Sequence, residues 1–193
     1  IIAYHETGHA LVMKALPHAD PVHKVSIISR GMALGWTMSL PEEDKYLISR
    51  DELMDQIAGI MGGRVAEEIV FGDVTSGAEN DIEKATQMAR RMVTQWGMSD
   101  KLGTVAIGHR EELVFLGRDL GEQRNYSEEV AAIIDEEIRS IINRAYEVAK
   151  HVLTVQRDTL EAIARHLIKV ETMDGLELDR LLNQQPEAVS AVA

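Results

Sequence analysis

The sequence predicts a mainly α-helical bundle with a small peripheral β-sheet or hairpin. Three observations carry this prediction. Apolar residues recur at helical spacing through most of the chain. Period-two alternation is confined to a short stretch around residue 36. Side chains suited to helix N-caps stand in front of the periodic segments, with Ser49 before Glu52, Ser76 before Glu79 and Asp174 before Glu177.

Composition sets the outer bounds. With 193 residues, 45% hydrophobic and 27% charged, the chain suits one soluble domain with a substantial core. The 20 Lys and Arg against 32 Asp and Glu give a formal net charge of -12, which argues against a nucleic-acid partner and against an anionic membrane surface. Zero Cys excludes disulfides, thiolate metal sites and cysteine nucleophiles, so any metal must be held by His and carboxylate. No apolar run reaches membrane-spanning length and no signal peptide is visible.

The first helix is expected over residues 1–16, ending before Pro17. Ile1, Ile2, Val12, Met13 and Leu16 fall on one arc of its wheel, with His5 and His9 inside that arc and Ala3, Thr7 and Lys14 opposite. No capping residue precedes the pattern, so the chain is expected to be a fragment of a longer one. His5-Glu6-Thr7-Gly8-His9 reads as H-E-x-x-H. Imidazoles four apart on a helix point the same way and can share one zinc ion, while the glutamate between them reaches a water on that ion. This is the core of a metal-dependent peptidase. The plainer alternative is a pair of core histidines bonded to backbone or carboxylate.

Residues 22–29 and 33–40 read as two strands joined through Arg30-Gly31-Met32. In the second, Leu34, Trp36, Met38 and Leu40 alternate with Gly35, Thr37 and Ser39. Such a strand beside a peptidase site either pairs with extended substrate backbone or simply covers the core. The Ser49 capping box then starts a helix to about Val70, with an apolar stripe at Leu53, Ile57, Met61, Val65 and Ile69. Gly59, Gly62, Gly63 and Ala66 form a second stripe of tiny side chains, a face that lets another helix come close. Glu67 lies on that face and needs a partner there; the outer nitrogen of a ligand histidine is one candidate, and a structural or surface role is the other.

After a turn at residues 72–75, a helix is expected from Ser76 to about Trp96, closed by Gly97. Its apolar arc holds Ile82, Ala85, Met88, Ala89, Met92, Val93 and Trp96, with Asp81 at the edge of the arc. An Asp so placed either serves the helix dipole or acts as a third metal ligand. Residues 104–108 and 113–116 are expected strands, and 117–124 a mobile loop. Ser127 caps a long helix to about Leu153, with Val130, Ile134, Ile138, Ile141, Ala145, Val148 and Val152 as its strip. A helix over about 157–169 and a short one capped by Asp174 follow, and the tail from Gln185 is expected to be disordered. His18, His23, His109, His151 and His166 have no partner at metal-ligand spacing.

The motifs occur in a telling order. His5-Glu6-Thr7-Gly8-His9 is followed by Asp20-Pro21-Val22-His23-Lys24-Val25 and Gly62-Gly63-Arg64-Val65-Ala66-Glu67-Glu68. Then come Thr75-Ser76-Gly77-Ala78-Glu79-Asn80-Asp81-Ile82 and Glu171-Thr172-Met173-Asp174-Gly175. Over essentially its whole length the chain resembles the peptidase domain of FtsH, the membrane-anchored ATP-dependent zinc proteases of bacteria and organelles. The resemblance implies one zinc per chain, held by His5, His9 and Asp81 between the N-terminal helix and the helix starting near Ser76, with Glu6 as the general base. It implies protein substrates, unfolded or translocated, and a role in protein quality control. A homo-hexameric ring, with an AAA ATPase module and transmembrane segments upstream, follows from it too. The full-length protein would then sit in the bacterial inner membrane or an organellar equivalent, with this domain on the cytoplasmic side. Residues 1–193 would be the metallopeptidase domain alone, without membrane contact of its own. No glycine-rich phosphate loop is present, so no ATP site is expected here. Thr7-Gly8 stands where the family commonly has Ala-Gly.

Overall fold

The computed structural model describes residues 1–29, 31, 34–40, 47–108 and 126–184. Within them the fold is mainly helical: α1 (Ile2–Ala15), α2 (Arg50–Phe71), α3 (Glu79–Thr94), α4 (Glu128–Val155), α5 (Arg157–Val170) and α6 (Gly175–Asn183). A small antiparallel sheet of β1 (Val22–Ser26), β2 (Trp36–Ser39) and β3 (Thr172–Asp174) flanks them in the order β2-β1-β3. No helix among the described residues is long and apolar enough to cross a membrane.

The first helix is central. It packs on α2 and α5, touches α4, and is overlaid by β1 and β2. Ala3 and Thr7, expected on an outer face, are therefore buried along with His5, Glu6 and His9. A helix enclosed on all sides has no solvent stripe, so the wheel of a few apolar residues understates its burial. Lys14, near the open end, pairs with Asp179 of α6 at 2.7 Å.

The stripe of small residues on α2 explains how close α1 can come. A Cβ on Gly62 would fall 2.6 Å from Gly8 O, and one on Gly8 would fall 2.5 Å from Gly62 O. Leu53, Ile57, Met61 and Val65 line the core, and α2 also packs on α4. The Ser49–Glu52 capping box forms, and Gly72 ends the helix in the left-handed region at φ 67°.

Several expectations change. The box expected at Ser76 and Glu79 does not form; Thr75 accepts from Gly77 N and caps a short 3-10 turn, Ser76–Ala78, ahead of α3. On α3 the buried residues are Ala85, Ala89, Met92 and Val93, while Ile82 and Trp96 are exposed and Trp96 is covered by the Arg91 guanidinium. On α4, Val148 is exposed and Ala149 takes the inward place. Residues 104–108 are not a strand, and only an isolated bridge joins Ser99 and Gly103 nearby. The strand expected at 113–116, the loop at 117–124 and the tail at 185–193 lie outside the described residues.

The sheet has a strand more than a hairpin. β3, three residues from near the end of the chain, pairs with β1 at Val25↔Met173, while β2 pairs on the other side at Val25↔Thr37. This accounts for the Glu171–Gly175 motif. Glu171 O accepts from Ile27 N, Asp174 caps α6, and Gly175 lies against Val22 O where any side chain would collide. The alternation in β2 is present, but its small side faces inward: Gly35 and Thr37 turn to α1, while Leu34 and Leu40 are exposed.

Candidate metal centre

Three side chains converge at the junction of α1, α2 and α3. His5 and His9 project from one face of α1, a turn apart, with Nε2 atoms 3.0 Å from each other. Asp81, in the first turn of α3, brings Oδ2 to 3.1 Å from His5 Nε2 and 3.2 Å from His9 Nε2. Asp81 lies on the inner edge of α3 because the preceding 3-10 turn feeds that helix in against α2. Among the described residues this is the His and carboxylate group whose ligand atoms lie close enough together to hold one cation.

The outer nitrogens decide what the inner ones can do. His5 Nδ1 donates to Glu67 Oε1 at 2.8 Å, and His9 Nδ1 donates to Gly59 O at 2.9 Å. A carbonyl can only accept, so the 2.9 Å contact to Gly59 O favours a proton on His9 Nδ1 over the longer 3.3 Å approach of Gly63 N to that atom, and the Glu67 carboxylate favours the same tautomer for His5. Both Nε2 atoms then present lone pairs to each other and to the Asp81 carboxylate. Three acceptors about one point leave an unmet demand for positive charge, and a divalent cation with nitrogen and oxygen ligands meets it. The residues therefore fit a zinc ion.

Charges point the same way. Burial opposes a charged His5, but hydrogen bonds to Asp81 and Glu67, with the fields of Glu6 and Asp81, outweigh it and raise the imidazole above its ordinary pKa. Burial likewise opposes ionised Asp81, yet its bonds to His5 and His9 hold it well below the usual carboxylate range. Each of those bonds to Asp81 needs a proton on Nε2, the place that a cation would take.

Around this group the packing is close. Gly63 lies against both rings: a Cβ there would be 2.5 Å from each Nε2. Glu67, 1% exposed, receives His5 with one oxygen and Thr75 N with the other at 2.8 Å, so it ties α1 to the turn that leads into Asp81. Of the two readings open for Glu67, the partner of a histidine is the one that the hydrogen bonds favour. Glu6 turns toward β2, where Thr37 Oγ1 donates to its Oε2 at 2.7 Å.

Of the residues singled out in the sequence, His5, His9, Glu67 and Asp81 come together at this junction, while Glu6, next to His5 on α1, faces Thr37 of β2. From the sequence Gly63 reads only as part of a small-residue face and Thr37 only as a member of the alternation of its strand; the signal for Thr37 is a polar residue at an alternating position of a strand near the motif. The remaining described histidines stay apart. His166 bonds Glu177 at 2.7 Å, the His18 amide bonds Asp55, and His23 and His151 are exposed. His109 lies outside the described residues.

A family model for peptidase family M41 matches residues 1–181. The chain belongs to peptidase family M41. Its M41 relatives include the ATP-dependent zinc metalloprotease FtsH 1 of Sphaerobacter thermophilus, 58% identical over 182 residues, which cover 94% of this chain and 28% of that protein. Another is the ATP-dependent zinc metalloprotease FtsH of Thermotoga maritima, 55% identical over 190 residues, covering 98% of this chain and 31% of that protein. The chain thus spans less than a third of the length of these curated relatives, and the M41 match covers nearly all of it.

Proposed function

We propose that this domain is a zinc-dependent endopeptidase that hydrolyses peptide bonds of unfolded or translocated proteins, as the proteolytic module of an ATP-dependent membrane protease. The observation that carries the reading is the convergence of His5 Nε2, His9 Nε2 and Asp81 Oδ2 at 3.0–3.2 Å with both outer nitrogens already bonded elsewhere. These three would hold one zinc. Bound zinc supplies Lewis acidity, which acidifies a water and polarises the scissile carbonyl. Glu6, next to His5 and half-enclosed by β2, takes the water proton on its carboxylate and later passes it to the leaving amine. Glu67 and Gly59 O orient the two rings through Nδ1. β2 pairs with β1 on one side, and its other edge suits an extended peptide backbone held with little sequence preference.

The relatives' printed names support ATP dependence for the full-length protein, and family resemblance supports a homo-hexamer with an AAA ATPase module. An inner-membrane or organellar anchor, with this domain on the cytoplasmic side, belongs to the same reading. Residues 1–193 would be the peptidase domain within that assembly.

Metal analysis combined with casein digestion, before and after chelation, tests this. Glu6→Gln should abolish peptide release while zinc remains bound; casein cleavage by that variant at the parental rate would remove Glu6 from the role. Asp81→Asn should lower both zinc content and activity, and unchanged zinc stoichiometry would reject Asp81 as a ligand.

A further inference from the structure

Glu6 is nearly buried, and a carboxylate in such a place needs a donor. Among the described residues its side chain has one, the Thr37 hydroxyl, 2.7 Å from Oε2 and 3.1 Å from the Glu6 carbonyl oxygen. A hydroxyl carries a single proton, and the shorter, charge-assisted contact takes the greater share of it.

The position of Thr37 is unusual for its residue type. Across the ladder it pairs with Val25, which pairs in turn with Met173, and both of these are fully buried and apolar. A threonine thus stands in the row of the sheet that faces α1. Two residues earlier Gly35 faces the same way, and a Cβ there would fall 2.8 Å from Glu6 Oε1 and 2.6 Å from Ile2 Cγ2. One carboxylate oxygen is tied down by a side chain, and the other is left bare by a residue that has none.

We infer that Thr37 is a positioning residue for Glu6: its hydroxyl fixes Oε2, and Oε1, kept uncovered by Gly35, is the oxygen that accepts the water proton. This rests on the reading of Glu6 as the base. It also gives β2 a double task, since the strand proposed to pair with the peptide, the edge strand among the described residues, is the one that aims the carboxylate.

The test uses the zinc-loaded protein in its full-length form. Thr37→Val removes the hydroxyl at nearly the same shape, and Thr37→Ser keeps it. The valine variant should lose about 10- to 100-fold in kcat on unfolded casein. Its KM should stay within about twofold of the parent, as expected for a group that acts on the chemical step. Zinc stoichiometry and melting temperature should not move, and the serine variant should hold kcat within about threefold of the parent. Crystal structures should show the Glu6 carboxylate turned away in the valine variant and in place in the serine variant. Parental kcat in Thr37→Val beside an inactive Glu6→Gln would overturn the inference while leaving Glu6 as the base. So would an equal loss in both Thr37 variants, or loss of zinc from the valine variant. If the valine variant does not fold, Thr37→Ala is read by the same criteria. An active Glu6→Gln would remove the base itself, and this inference with it.

Discussion

One absent side chain does much to define the metal centre. A methyl group on residue 63 would sit 2.5 Å from Nε2 of both His5 and His9, closer than any real contact of that kind. Gly63→Ala should therefore leave the helix intact, since alanine is the better helix former, and still spoil the grip on the metal. We expect zinc affinity to fall at least about tenfold, or about 1.4 kcal/mol, with helical circular dichroism unchanged. Zinc measured after dialysis against a weak chelator checks it; full retention would show that the rings can move aside. His5, Glu6 and His9 were legible because their spacing acts within one helix. The angle of Asp81 on another helix leaves a dipole role and a ligand role both open, and the family resemblance points to the second. Thr37 was not legible, because nothing in a linear spacing says that a strand residue thirty-one positions downstream lies on Glu6. The small-residue face was visible, but not that Gly63 meets imidazole where Gly62 meets backbone.

At the scale of elements, α2 and α4 are joined by a polar clasp over their apolar contact. Tyr146 donates to Glu68 at 2.7 Å, and Lys150 reaches the same carboxylate at 3.3 Å. The Tyr146 hydrogen bond, aided by Lys150 and resisted by burial, lowers the Glu68 pKa. A carboxylate depressed in the folded state stabilises it above the unfolded pKa, and that increment fades as pH falls through the folded value. Glu68→Gln should therefore cost about 0.5–1 kcal/mol near neutrality, small because the clasp is partly solvated. The gap between variant and parent should narrow as pH falls below the ordinary carboxylate range. Urea unfolding near neutrality and below that range measures this, and a constant gap would reject the ionic origin. Ser49 and Glu52 showed in the sequence because their bonds are local. The true cap before α3 did not, because the chain inserts a 3-10 turn and moves the capping oxygen one residue back, to Thr75. A three-residue strand such as β3 is too short to carry a period of its own.

For the whole molecule, the candidate metal centre is a tie between distant parts. His5 and His9 come from the first helix and Asp81 from the third, with Glu67 of α2 bonded to both neighbourhoods. A cation that binds only this arrangement stabilises the fold by mass action, about 2.7 kcal/mol at a hundredfold excess over Kd. For a domain of this size that is about 5–10 °C in Tm. Calorimetry with zinc and after chelation should show such a difference in the parent and little in Asp81→Asn; equal shifts in both would place the metal elsewhere. The helical class was legible because period and caps agreed along most of the chain. Closure of the sheet was not, since β1 and β3 are separated by nearly the whole sequence and no local pattern reports such a pairing.

That pairing has a consequence for synthesis. The arm bearing Thr37 hangs from β1, and β1 gains its second neighbour only when residues 172–174 exist. A ribosome must therefore make nearly the entire domain before the groups around Glu6 can be locked in register. A chain stopped short of residue 172 already carries both motif histidines, yet it lacks the third strand that the finished sheet lays beside β1.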